Sequence, residues 1–463
     1  MNRVTRRETK WWTPVVRVIV RNESRADGVL VLDGNGQSAL AVTRSLGRRG
    51  VPVTVASEVE RSLGSLSKYA DDRFVTPPMD DAEAYLAALR DHLADADYFA
   101  VFPVRDETTA LCSKHKADLE STGTLVAAED WETFERAYDK ARLFDLADDL
   151  SVPTPETRAP ESVAACEEIA DDMPYPAVVK PRGKTAWDDD GRLHHYRVSG
   201  GNYVDSPAEL VETFASMVES DPVLASRPPI VQEYVEGTTV TTVGVADGGD
   251  LRAHFQEERI RTTPPGGGNS TLLGALSDPR LTGYAREVLG ALDWTGPAMV
   301  EYMRTPDDEV YLIEVNGRYW GSLPFAVASG VDVPWLHYSL LRGQPISQPE
   351  VYRTDVRQHR LLYEDLEWLR AKLDAGELSA IPEFVRTCAT AKQTFVSYED
   401  PLPTLGALWQ AATTGTRVLA DRVGVGSNRG EIGQERSEVL EKGAERERPE
   451  RRAESERPTE LEH

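Results

Sequence analysis

The chain has no long hydrophobic run, no paired set of cysteines, no basic excess and few lysines. No stretch of its 463 residues approaches the ~18 apolar residues of a membrane helix. Near the start, Pro14 and Arg17 break up the short apolar stretch Val15 to Val20, and no small-residue cleavage site follows. That argues against a signal peptide, and residues 1–27 read as a flexible leader or an early start codon. Three cysteines, Cys112, Cys166 and Cys388, are odd in number and lack metal-ligand spacing. They read as reduced, inert thiols in a cytoplasmic protein. Acids outnumber bases 77 to 52, a net charge of −25. Residues 427–463 hold 11 acids and 8 bases, so the remainder carries 66 against 44, or −22. Such a surface repels nucleic acid and anionic membranes. It suits a halophile's cytoplasm, where molar salt shortens the Debye length to ~3 Å.

What is present is a soluble-protein composition, 40% apolar, in a chain long enough for two to four domains. Val29 to Gly34 is a continuous apolar run, as in a buried parallel strand. Helix and strand patterns then alternate to residue 128, which predicts a Rossmann-like α/β domain over 28–128. Beyond it the pattern changes to α+β. Two short helices and a Pro-rich segment lead to the strand YPAVVKP, a polar loop from Arg182 to Asn202, and three strands at hairpin-like spacing. A Gly-rich loop, TPPGGGNSTL, a helix and a closing hairpin complete a two-lobed domain over 129–348. Residues 349–426 read as mostly helical. Residues 427–463 are Glu/Arg-rich without aromatics and read as a disordered charged tail.

The closing hairpin carries the sharpest signal. Glu301 lies in MVEYM and Glu314 in YLIEVNGR, and TPDDE between them is turn chemistry. A two-residue turn at Asp307-Asp308 pairs residues whose numbers sum to 615, which sets Glu301 opposite Glu314 with Cβ atoms about 5 Å apart. Asn316, two residues on, shares their face. Two carboxylates and an amide on one face suit a hard divalent cation, Mg2+ or Mn2+, or else pair with arginines such as Arg318. Lys180 ends an apolar run and Lys140 opens a helix, so each can offer a point charge to phosphate. Gln232, Glu233, Tyr234 and Val235 form a strand running into a connection whose backbone can meet an adenine edge.

These pieces together resemble the ATP-grasp superfamily, from about Leu125 to Leu340, in particular the carboligase-like branch related to biotin carboxylase and carbamoyl-phosphate synthase. The segment EVNGRYWGSLPFAVASGVD carries the branch's metal motif with Gly317 in the place of its usual proline. Thr239 stands where related ligases have a ribose-binding acid. The resemblance implies ATP between two lobes, phosphates held by Lys140 and Lys180, and metal on Glu301, Glu314 and Asn316. It implies an acyl phosphate made from a small-molecule carboxylate and passed to an amine, or a thiol, with release of ADP and phosphate. Lys184 in the polar loop is placed to approach phosphate, the loop acting as a lid. Arg318 would steady the transferred group. Arg259 and Arg261 either bind the acid or pair with Glu257 and Glu258 at the surface. A homodimer is compatible with this reading.

Two other classes stay open. Gly34, Gly36 and Ala39 fit GxGxxA after a strand, with Glu58 beyond the next one, as in an NAD-dependent oxidoreductase. A nucleotide-binding regulator without turnover is the other. His194 and His195, in an Asp-rich stretch without a third ligand, read as solvated loop residues. Trp368 and Trp409 read as core or docking surface.

Overall fold

The computed structural model describes residues 27–188, 192–196, 198–263, 268–349, 352–360, 365–394 and 396–410. The expected tail and nearly all of the expected leader lie outside them.

The first unit runs β1 (Val29–Val31), α1 (Gln37–Gly47), β2 (Val53–Ser57), β3 (Asp72–Val75), α2 (Ala82–Asp95), β4 (Ala100–Phe102), α3 (Asp106–Lys114), α4 (Lys116–Glu120) and β5 (Leu125–Val126). Its sheet has the order β3-β2-β1-β4-β5, all parallel. β1 is buried at every position, which is why its sequence is apolar without alternation.

The second unit begins with α5 (Trp131–Tyr138) and α6 (Lys140–Leu150). A small lobe follows: β6 (Thr157–Arg158), α7 (Val163–Ala170), β7 (Ala177–Lys180), β8 (Thr185–Trp187), β9 (Leu193–His195), β10 (Tyr203–Val204), α8 (Pro207–Ser220), α9 (Pro222–Ser226) and β11 (Ile230–Glu233). Its antiparallel sheet, β10-β7-β11-β6, shares a core with α7 and α8 that includes Cys166, Val179, Phe214 and Val231. The ribbon β8-β9 stands apart, inside the expected lid.

The chain then builds β12 (Thr238–Asp247), β13 (Asp250–Thr263), β14 (Asn269–Leu276), α10 (Pro279–Ala291), β15 (Gly296–Arg304), β16 (Val310–Asn316), α11 (Leu323–Ala328), α12 (Val333–Leu341), β17 (Arg357–His359), α13 (Leu366–Asp374), α14 (Ala380–Thr390) and β18 (Lys392–Gln393), with a further helix at 402–410. The seven strands order β16-β15-β12-β13-β14-β17-β18. One apolar core joins Val29, Val31 and Val42 to Val243, Phe255, Met299, Trp320 and Phe325, with α1 packed on α11 and α12 between the first sheet and the large one.

Several expectations change. β11 and β12 sit at hairpin-like spacing but belong to different sheets, because the chain leaves the small lobe between them. The Gly-rich segment becomes β14 from Asn269 onward, paired with β13, and its residues 264–267 lie outside those described. The region after 349 is not only helical. β17 extends the large sheet by pairing with β14, and β18 pairs with β17. Strands of two and three residues leave no readable period.

Candidate active site

Glu301 and Glu314 stand directly opposite each other on β15 and β16, as the hairpin arithmetic requires, but the route differs. The turn has three residues, closed by Thr305 and Glu309, with Asp308 in the left-handed region at φ 65°. Beyond it, pairs sum to 614. A bulge at Ile313 then restores 615 at the glutamates.

Three of the chain's ten lysines converge at this place. Lys184 Nζ lies 2.7 Å from Glu314 Oε1 and 2.8 Å from Asn316 Oδ1. Lys140 Nζ lies 3.3 Å from Glu314 Oε2. Lys180 is buried at the end of β7, and its ammonium donates to Gln232 Oε1. Asn316 Nδ2 donates to both carboxylates, at 3.2 Å to Glu301 and 2.9 Å to Glu314. Arg259 reaches across from β13 to form an ion pair with Glu301. Arg318 is tied at 2.6 Å to Asp106, at the start of α3, and also donates to Asn316 Oδ1 at 3.2 Å. The partner expected for Arg318, a carboxylate of the pair, is thus taken by Arg259, and Arg318 is anchored to the first unit instead.

The electrostatics follow from burial and these partners. Burial alone would raise Glu314, but Lys184 and then Lys140 outweigh it and hold its carboxyl well below the usual range. Glu301 moves the other way. Burial raises it, Arg259 opposes, and the Glu314 charge adds to the rise. Burial, with Lys140 nearby, pushes Lys180 down to about 7, against the pull of Glu314. A phosphate beside Lys180 would restore its charge.

Other site residues fall into place less simply. Gln232 turns its amide to Lys180 and to Thr157 Oγ1 at 2.7 Å, so its side chain positions the lysine. Glu233 faces the other side of β11, where its carboxylate accepts from Glu156 N at 3.2 Å beside a cavity of about 390 Å³ lined also by Asp145, Asp148 and Arg158. Only its backbone remains for a ligand on the lysine side. The Tyr234 ring is exposed and meets Tyr203 edge-on at 5.5 Å, and Val235 follows, half-buried. Thr239 lies on β12 opposite Met303.

Arg261 is a correction. Ile260 is a bulge residue on β13, so Arg261 points to the face opposite Arg259. There it is buried between Asp365 at 2.6 Å and Glu383 at 2.7 Å, with its guanidinium over the Trp368 ring. It fastens the C-terminal region and does not reach the carboxylate pair. Surface pairing of these arginines with Glu257 and Glu258 does not occur either; Glu258 pairs with Arg304.

Within the expected lid, Trp187 touches the cores of both units, and the Tyr138 hydroxyl bonds Thr185 Oγ1 at 2.8 Å. His194 is not a free loop residue. It sits between Asp188 at 3.0 Å and Asp221 at 3.1 Å. The GxGxxA turn serves packing. A Cβ on Gly34 would stand 2.4 Å from Val55, Glu58 accepts from Met79 N, and helix 402–410 covers the turn with Gln410 on Asn35.

Asp106 and Ser322 carried no signal in the sequence, and Glu257, expected at the surface, is buried. Thr241 pairs with both Glu301 and Glu257, so one row across the sheet reads Glu314, Glu301, Thr241, Glu257. Glu257 is buried and accepts from the Ser322 hydroxyl. Burial pushes it up to about 8, with Ser322 and Arg259 opposing.

No family model matches the chain. In sequence it is similar to the carbamoyl phosphate synthase large chain of Clostridium acetobutylicum, 22% identical over 253 residues, which are 53% of this chain and 22% of that one. The large chain of Thermomicrobium roseum is 22% identical over 359 residues, 75% of this chain and 32% of the relative. The chain therefore spans a third or less of these relatives. Among solved structures, the biotin carboxylase of Campylobacter jejuni, a β,γ-ATP complex, aligns with a TM-score of 0.59 at 16% identity over 71% of this chain and 74% of that one. The fold is ATP-grasp. Lys180 and Lys184 from the small lobe and Lys140 from α6 gather beside the carboxylate pair of the large sheet. Among the described residues, no group of three or more His, Cys, Asp or Glu could hold a metal ion. Two carboxylates and an amide on one face still fit a hard cation, provided a ligand such as phosphate supplies further oxygens.

Proposed function

We propose that the chain is an ATP-dependent ligase that activates a carboxylate as an acyl phosphate and transfers it to an amine, or a thiol, releasing ADP and phosphate. The observation that carries this reading is the convergence of Lys140, Lys180 and Lys184 on the Glu301–Glu314–Asn316 face. Lysines are scarce here, and three point charges at one buried place want a polyanion. Lys180 and Lys140 hold the phosphates. Lys184 arrives with the lid and exchanges its carboxylate for phosphate. Glu301, Glu314 and Asn316 would hold Mg2+ or Mn2+, which supplies neutralising charge to the phosphate oxygens during γ-transfer. Adenine lies against the backbone of residues 233–235.

The substrate carboxylate attacks the γ-phosphorus, the bond to the bridging oxygen of ADP breaks, and the acyl phosphate remains. Arg318, steadied by Asp106, faces the transferred group, and Arg259 orients the acid. The nucleophile then displaces phosphate from the acyl carbon. Trp187 and the β8-β9 ribbon exclude water from this labile species. The boundaries 28–128, 129–348 and 349–426 remain the working division, with the first unit acting as the wall that carries Asp106.

The test is product analysis after incubation with ATP, Mg2+, molar KCl and mixed carboxylates and amines. ADP and phosphate should appear, faster when acid and amine are both present. AMP as the main product would exclude the mechanism.

A further inference from the structure

Glu257 is a deeply buried acid that this mechanism leaves without a task. It is 2% exposed, and the Ser322 hydroxyl holds one of its oxygens. The other, Oε2, is buried without a hydrogen-bond partner, and so is Thr241 Oγ1 beside it. Both residues stand in the row that leads to Glu301. A buried carboxyl oxygen without a donor is costly, and a ligand's N–H groups would offset that cost. Arg259 lies two residues along the same strand, so its Cα is roughly 7 Å from that of Glu257 and on the same face. A guanidinium and a carboxyl side by side match a zwitterion.

We propose that Glu257, Thr241 and Arg259 select an α-amino acid as the carboxylate substrate. The Glu257 Oε2 atom and the Thr241 hydroxyl take the ammonium group, and Ser322 fixes the Glu257 carboxyl. Arg259, leaving Glu301 when a cation occupies the carboxylate pair, takes the α-carboxylate. That places the reacting carboxylate beside the residues assigned to the γ-phosphate. The inference rests on the ligase reading for the direction of chemistry, but binding tests it separately.

Calorimetry is run on the full chain with and without Mg2+ and adenylyl imidodiphosphate. The probes are the twenty standard L-amino acids, each against its des-amino counterpart, such as propionate for alanine. At least one amino acid should bind ten times or more tighter than its counterpart. Glu257→Gln should abolish that preference while nucleotide affinity stays within twofold, and Thr241→Val should weaken it several-fold. If Glu257→Gln proves unstable, the Thr241→Val result decides. Retained preference in both variants, equal binding of acid and amino acid to the wild type, or no binding by any amino acid would overturn the proposal. Loss of nucleotide binding with intact amino-acid selectivity would instead overturn the ligase reading and leave this one standing.

Discussion

Two hairpins present acids to the same face of the large sheet, and they treat those acids in opposite ways. On β15–β16, Glu314 is wrapped by Lys184 and Lys140 and stays ionised. On β12–β13, Glu257 has a hydroxyl, an unpartnered oxygen and an upward shift to about 8. Position in the row does not set charge; the cations within reach do. The difference divides the site into a side suited to metal and phosphate and a side suited to a neutral or cationic donor group.

The largest expected effect concerns stability. Glu314→Gln strips Lys140 and Lys184 of a shared buried counter-charge and should cost about 3 kcal/mol in urea unfolding. Glu257→Gln leaves no cation behind and should not destabilise the protein at pH 7. Equal losses would erase the contrast between the hairpins.

Next is pH. Glu257 has a folded pKa above its unfolded value, so the native state binds the extra proton between about 4.5 and 8. Its contribution is therefore complete below about pH 4.5 and is lost progressively as pH rises to about 8. The wild type should lose stability relative to Glu257→Gln between pH 5 and 9. Parallel pH profiles for the two proteins would refute the assignment.

A smaller effect sharpens the phosphate side. Lys180, held near 7, is largely neutral at pH 8, and nucleotide phosphates would return its charge. Nucleotide binding at pH 8 should take up a substantial fraction of one proton, read from calorimetry in buffers of different ionisation enthalpy. Lys180→Arg, charged at all working pH, should remove that uptake.

The same two hairpins show what the amino-acid sequence could reveal. A two-residue turn at Asp307-Asp308 predicts the Glu301–Glu314 pair. The three-residue turn and the bulge at Ile313 shift the register once each and cancel, so the pair was legible. On β12–β13, the turn at Gly248-Gly249 pairs residues summing to 497, which sets Thr241 against Gln256 and Glu257 on the far face. A bulge at Arg252 changes the sum to 498 and turns Glu257 inward. Nothing local marks that bulge. The bulge at Ile260 likewise carries Arg261 away from Arg259. Lys140 and Lys180 were legible because a helix start and the end of an apolar strand fix their places. Asp106 was not, since it meets Arg318 across 212 positions of chain. Among the described residues, no helix is long and apolar enough to cross a membrane. The buried Cys112 and Cys166 and the half-buried Cys388 are all free thiols.

The central claim is that the Glu301–Glu314–Asn316 face holds a divalent cation together with nucleotide phosphates. Titration of adenylyl imidodiphosphate into wild type and Glu314→Gln, with and without Mg2+, tests it directly. The wild type should bind at least 100-fold tighter with Mg2+ than Glu314→Gln does, and both should bind equally weakly without it. The same Mg2+-dependent affinity in both proteins would contradict the account.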